Sequence, residues 1–240
     1  MNSIAAYAYQ TCARGLFFIG IAVLTGCSLP RPANTPVVVD FGPGPLHTQA
    51  STRVANLPPL ELANVHTSVA LNSTAVWYRL AYADVQQLKP YTLARWSMPP
   101  AQLIGQHLRS HLGQRRAVVS PGDITLARPA RAAASAAVAT PPLATAPTQP
   151  QAILNLHLEL EEFSQVFQTA SQSYGLLRLR ATATQRSAAG ETLLAQRSFT
   201  AKETAPTPDA SGGVRALTQA TDQAVAEIEL WLEQLGHLQP

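Results

Sequence analysis

The stretch ILNLHLELEEFSQVF, Ile153–Phe167, decides how this chain folds. Leu154, Leu156, Leu158 and Leu160 fall on every second residue, with Asn155, His157 and Glu159 between them. A period of two belongs to an extended strand with one face buried and the other wet. After Glu161-Glu162 the large apolar residues move to odd positions, Phe163 and Phe167. One extra residue in a strand shifts the phase in this way, so the pattern predicts a bulge at the two glutamates.

Downstream, Leu176–Thr184 and Thr192–Lys202 alternate as well, and Gly190 between them suits the turn of a hairpin. The chain then changes period. Val214, Leu217, Thr221, Ala224, Ile228, Trp231 and Leu235 step by three and four residues, which is one stripe of a long amphipathic helix. Asp209 or Ser211 suits its N-cap and Gly236 its end. Trp231 lies on the stripe and is expected in the core.

Upstream, short strands are predicted at Val37–Phe41, Leu60–Thr67 and Val118-Val119. Val76–Tyr82 alternates, and Tyr91–Trp96 is its expected partner across a turn near Lys89-Pro90. Met98–Gly113 reads as a helix with Pro99 and Pro100 in its first turn and Leu103, Ile104, Leu108 and Leu112 on its buried stripe. Ala127–Pro150 is mostly Ala, Pro and Thr, without periodicity, and is expected to be a disordered insertion.

The 240 residues are 46% apolar, enough for a real core, so wholesale disorder is excluded. Charged residues are only 13%, so much of the surface must be made polar by Gln, Thr and Ser. The net charge of +3 comes from scattered basic residues, which gives no footprint for nucleic acid.

The first residues carry a separate message. Gly15–Leu24, GLFFIGIAVL, is an apolar run too short for a stable membrane span, which takes about 20 residues. It has the length of a signal-peptide core. The run ends in Leu24-Thr25-Gly26-Cys27, which resembles the lipobox of bacterial lipoproteins. By that resemblance residues 1–26 are a leader, and the Cys27 thiol takes a diacylglyceryl group. Its freed amine is then acylated, typically with palmitate. Several acyl chains on one residue make a stable anchor, where one would bind only marginally. Cys12 would leave with the leader, so Cys27 would be the one remaining cysteine, with no disulfide partner and no free thiol for catalysis. Residues 27–36, Pro-rich from Ser28, read as a tether. Position 28 is Ser and not Asp, which by the same resemblance directs the protein to the outer membrane.

Larger segments resemble one family over most of the chain, from about Val37 to Leu235. They are YRLAYADVQQLKPYTLARWSMPPAQLI (Tyr78–Ile104), LHLELEEFSQVF (Leu156–Phe167), SYGLLRLRATATQR (Ser173–Arg186) and DASGGVRALTQATDQAVAEIELWL (Asp209–Leu232). The chain is similar to the ABC-type transport auxiliary lipoprotein family, of the paraquat-inducible protein C kind. The resemblance implies an α/β fold in three layers, a mixed sheet with helices packed on it. It also implies partners: a substrate-binding protein of the mammalian-cell-entry type and, beyond it, the permease and ATPase of an ABC transporter. Such systems move lipids or other hydrophobic molecules between two membranes, and this chain would be the outer-membrane-side, non-enzymatic component. The alternative is a lipid-binding carrier that itself holds the cargo, which needs an open cavity lined by Leu and Phe.

Candidate chemistry is sparse. His107 and His111, one helical turn apart, have metal-ligand spacing but no acid beside them in sequence, and read as surface or interfacial histidines. Glu159, Glu161 and Glu162 could suggest paired carboxylates, but Glu159 and Glu161 lie on the outer face of the strand, so a solvated face is expected. Nucleotide-binding glycine patterns and nucleophile motifs are missing from the sequence. Catalytic residues, metal and cofactor are therefore expected to be none. Arg95-Trp96 is the candidate partner interface, since Trp and Arg recur at binding hot spots.

Labelling cells with a clickable fatty acid should mark the wild-type chain and leave Cys27→Ala unmarked. Equal label on both would remove the anchor.

Overall fold

In the computed structural model the described residues are 35–43, 57, 59–122, 153–187 and 190–237. The expected leader, the tether as far as residue 34, and the 127–150 insertion lie outside them.

The long alternating stretch is the middle of the sheet. Strand β7, Ile153–Phe167, pairs antiparallel with β8, Ser173–Ser187, and β8 pairs antiparallel with β9, Gly190–Thr204. On its other edge β7 takes three short parallel partners in succession: β2 (Leu60–Leu62), β3 (His66–Thr67) and β4 (Ala75–Leu80). Beyond β4 lie β5, Asp84–Trp96, and then β1, Val37–Val39; beyond β2 lies β6, Val118–Val119. The sheet is therefore mixed. Two helices pack on it: α1, Pro100–Leu112, and the long α2, Ala210–His237.

The bulge falls where the phase change puts it. Leu160 faces Leu179 of β8 and Glu162 faces Arg178, with Glu161 the extra residue. Leu156, Leu158 and Leu160 before it, and Phe163 after it, are all buried on one face with Leu177, Leu179 and Ala181. The hairpin of β8 and β9 is longer than the alternation alone suggested, and Gly190 sits at φ +130°, a conformation that disfavours a side chain.

Helix α2 covers this face, touching β7, β8 and β9. Leu217, Thr221, Ala224, Ile228 and Trp231 are buried, joined by Ala216, Ala220, Val225 and Leu232, so the buried stripe is wider than the heptad-like spacing implied. Asp209 caps the helix: its Oδ1 accepts from Gly212 N–H at 2.7 Å. That bond, helped by the Thr207 hydroxyl, holds the Asp209 carboxyl below its ordinary range. Near its start α2 comes unusually close to the sheet. A Cβ on Gly175 of β8 would lie 2.7 Å from the backbone of Ala216 and Leu217.

Helix α1 lies beside α2 and buries Leu103, Ile104, Leu108 and Leu112 as expected. The described residues form two of the three expected layers, the sheet and the helices on one of its faces. On the other face Glu159 and Glu161 of β7 pair with Arg178 and Arg180 of β8.

Two expectations change. Leu60–Thr67 is two separate strands, each paired to a different part of β7. The turn expected near Lys89-Pro90 is at residues 81–83, closed by Ala83 N–H to Leu80 O at 2.9 Å. Lys89 and Pro90 lie inside β5, opposite Tyr78 and Trp77, between two register shifts. Proline has no N–H for the ladder, and an irregular ladder tolerates it.

Ile228 is fully buried and Gln223 is exposed. Ile228→Ala should cost about 2–5 kcal/mol in a urea or thermal melt. Gln223→Ala should stay within about 0.5 kcal/mol of wild type, as surface changes do.

Candidate functional site

The two histidines of α1 point at α2. His107 Nε2 lies 2.7 Å from Asp222 Oδ1, and His111 Nε2 lies 2.8 Å from Glu229 Oε2. Arg115, just past α1, adds ion pairs to Glu229 and Glu233. Arg116 beside it is 3% exposed; desolvation pulls its guanidinium pKa down, opposed by the charges of Glu229 and Glu233. Each histidine meets its own carboxylate, so the arrangement is a clasp between helices. Among the described residues no three His, Cys, Asp or Glu side chains come together as a metal site. The acids that answer His107 and His111 are over a hundred residues away in sequence, which hid them.

Arg95 and Trp96 are adjacent in β5 and point to opposite faces. Trp96 is 2% exposed and packs edge-on to Phe41 at 5.6 Å and against Phe163 at 5.5 Å. Arg95 is exposed. The pair therefore does not form a single contact surface: Trp96 is a core residue, and only Arg95 is open to a partner. Trp231 is also in the core, edge-on to Phe199.

Glu162, unlike Glu159, is enclosed. It stands opposite Arg178 in register and is 7% exposed. Arg79 of β4 donates to it twice, through Nε at 3.3 Å and Nη2 at 2.9 Å, and Ser164 Oγ donates at 2.6 Å. Arg79 Nη1 also donates to the carbonyls of Val85 and Gln86. One guanidinium thus ties β4, β5 and β7 together.

On the helix-covered face Tyr91 Oη donates to Gln165 Oε1 at 2.8 Å, and Gln165 Nε2 donates to Ser173 Oγ at 2.8 Å. Burial, then the neighbouring Tyr78, pushes the Tyr91 phenol up. A Cβ on Gly213 of α2 would strike the Gln165 amide. Both ends of the Gln165 amide are thus bonded within the domain.

A groove of about 520 Å³ runs between Val39, Asp40 and Phe41 on one side and Val214, Arg215 and Thr218 on the other. The large apolar side chains elsewhere are packed on each other. Exposed apolar residues gather instead on one edge of the sheet, at Val37, Val38, Tyr82, Val85 and Leu93. Cys27 lies outside the described residues. Among those described, no helix is long and apolar enough to cross a membrane.

The fold is shared with solved structures. A Xanthomonas campestris protein described by family model DUF330 matches with a TM-score of 0.56 and 16% identity, over 87% of this chain and 91% of that one. An uncharacterized protein matches with a TM-score of 0.51 and 14% identity, over 82% of this chain and 99% of that one. No family model matches the sequence. No curated protein matches it either.

The Arg79–Glu162 pair generates a stability test. Arg79→Leu leaves a carboxylate buried without its partner and should cost about 2–3 kcal/mol, somewhat below a fully buried pair because Arg79 keeps some water. Replacing both residues by Leu should recover part of that loss in the same denaturant titration.

Proposed function

We propose that this chain is a lipid-anchored periplasmic lipoprotein, held to the outer membrane through Cys27, and a non-enzymatic auxiliary component of an ABC transporter of the mammalian-cell-entry type. The transporter would move lipids or other hydrophobic molecules between the membranes. The observation that carries the reading is Leu24-Thr25-Gly26-Cys27 at the end of a short apolar run. The anchor would hold the domain near the outer membrane, where a substrate-binding partner that spans the periplasm would end. Tethering raises the local concentration of the two proteins, so a modest interface suffices. ATP hydrolysis would belong to the transporter's ATPase, which this chain need not touch.

The packed interior supports an accessory role over a carrier. Leu156, Leu158, Leu160, Phe163 and Phe199, which would have to line a cargo cavity, are at most 1% exposed and lie in one core cluster. Burying such side chains against one another stabilises the fold, while a cavity of that size would destabilise it.

Cells lacking this protein should show the same sensitivity to hydrophobic compounds as cells lacking the transporter permease, with no added defect when both are absent. An unlipidated Cys27→Ala chain, exported through an ordinary cleavable leader, should fail to restore resistance. Full restoration by the unanchored chain, or an additive double deletion, would overturn the proposal.

A further inference from the structure

Among the described residues, eight large apolar side chains are more than half exposed. Three are scattered: Val69, Leu193 and Leu230. Isolated exposed residues of that kind are ordinary. The other five are Val37 and Val38 of β1, Leu93 and Val85 of β5, and Tyr82 in the turn that joins β4 to β5. All five lie along one margin of the sheet. β1 ends the strand order there and pairs with β5 only at Ala94, Arg95 and Trp96, so no described strand lies against β5 on that side from Asp84 to Leu93. From Val85 to Leu93 the margin runs about 26 Å at strand spacing.

This margin is also where the chain enters the domain. Val37 is ten residues after Cys27. Ten residues reach at most about 33–36 Å when fully extended. An anchor at Cys27 therefore keeps Val37 within that distance of the bilayer surface, whatever the rest of the domain does. Leu193, at the far side of the sheet in β9, is under no such limit.

We propose that the β1–β5 margin, from Tyr82 to Val38, is the face that lies against the membrane, with phospholipid headgroups and the outermost acyl segments as its partner. The proposal rests on the anchor at Cys27. Tyrosine at the tip of the turn suits the headgroup level, where its ring sits in the apolar boundary and its hydroxyl in water. The strip is narrow and interrupted by the exposed polar residues Gln86, Gln87 and Thr92, which fits a shallow interfacial contact. Arg95, in register with Val38 of β1, is exposed, and a cation near the surface is drawn to anionic lipid; Asp84 of β5 and Asp40 just after β1 are the opposing charges. The function of such a contact is orientation: it fixes which side of the domain is turned toward the periplasm and its partners.

The test uses the full lipidated chain in vesicles of phosphatidylethanolamine and phosphatidylglycerol. Single cysteines introduced by Val38→Cys, Tyr82→Cys, Leu193→Cys and Leu230→Cys carry a fluorophore, and nitroxide-bearing lipids serve as quencher. Quenching at positions 38 and 82 should exceed that at 193 and 230 several-fold. Uniform quenching at all four positions overturns the proposal. So does self-quenching at 38 and 82 that depends on protein density and not on nitroxide lipid, which would assign the margin to a second copy. Acylation at Cys27 is read separately by fatty-acid label. Its absence removes the anchor and this proposal together, whereas acylation with uniform quenching removes the apposed margin alone.

Discussion

The close approach of α2 to β8 sets the geometry of the domain. At Gly175 the helix backbone lies where a side chain would otherwise be, 2.7 Å from the position of a Cβ. At Gly213 the helix in turn leaves room for the Gln165 side chain. These two glycines let the first turns of α2 sit directly on the strands. Farther along, the same helix spreads away over larger side chains, Phe199 against Trp231. The helix is pinned at its start by contact and by the Asp209 cap. The wide apolar stripe that follows then has one direction in which to bury itself.

Charge is scarce in this chain, and much of it is used in pairs that join distant segments. Arg79 and Glu162 join β4 to β7, while His107 with Asp222 and His111 with Glu229 join α1 to α2. Arg186 pairs with Glu61, which links β8 to β2 across β7. Pairs on the open face, such as Arg180 with Glu159, are solvated and individually contribute little. The Arg79–Glu162 pair is more enclosed, and with the Arg79 bonds to Val85 and Gln86 it fixes β4 against β7 and the start of β5. Two- and three-residue strands like β1, β2, β3 and β6 depend on such neighbours, because an isolated short strand is not stable.

The candidate site was legible only in part. His107 and His111 were readable as a pair, and their interfacial position agreed with the absence of a neighbouring acid, but their carboxylate partners come from a helix far along the chain. Arg95-Trp96 reads as one surface because adjacency in sequence suggests adjacency in space. In a strand, neighbours point to opposite faces, and the sheet buried one of them. Glu162 carries no sign in sequence of its partner, because Arg79 lies 83 residues away. On the assembled sheet the Arg79 guanidinium of β4 encloses it. The exposed margin of β1 and β5 had no signature in sequence, since valine, leucine and tyrosine in strands usually read as core.

The amino-acid order by itself determined the elements whose apolar period is long and unbroken. The fifteen residues of β7, the bulge within it, the β8–β9 hairpin and the stripe of α2 each repeat their pattern often enough to outweigh local exceptions. Tertiary structure decided what periodicity cannot encode. It split Leu60–Thr67 into two strands, because each half found a separate place along β7. It moved the β4–β5 turn to residues 81–83, because the ladder absorbed Pro90 by shifting register. It also chose which apolar residues stay outside. A pattern records whether a side chain favours burial, but only the assembled sheet determines whether another element is there to cover it.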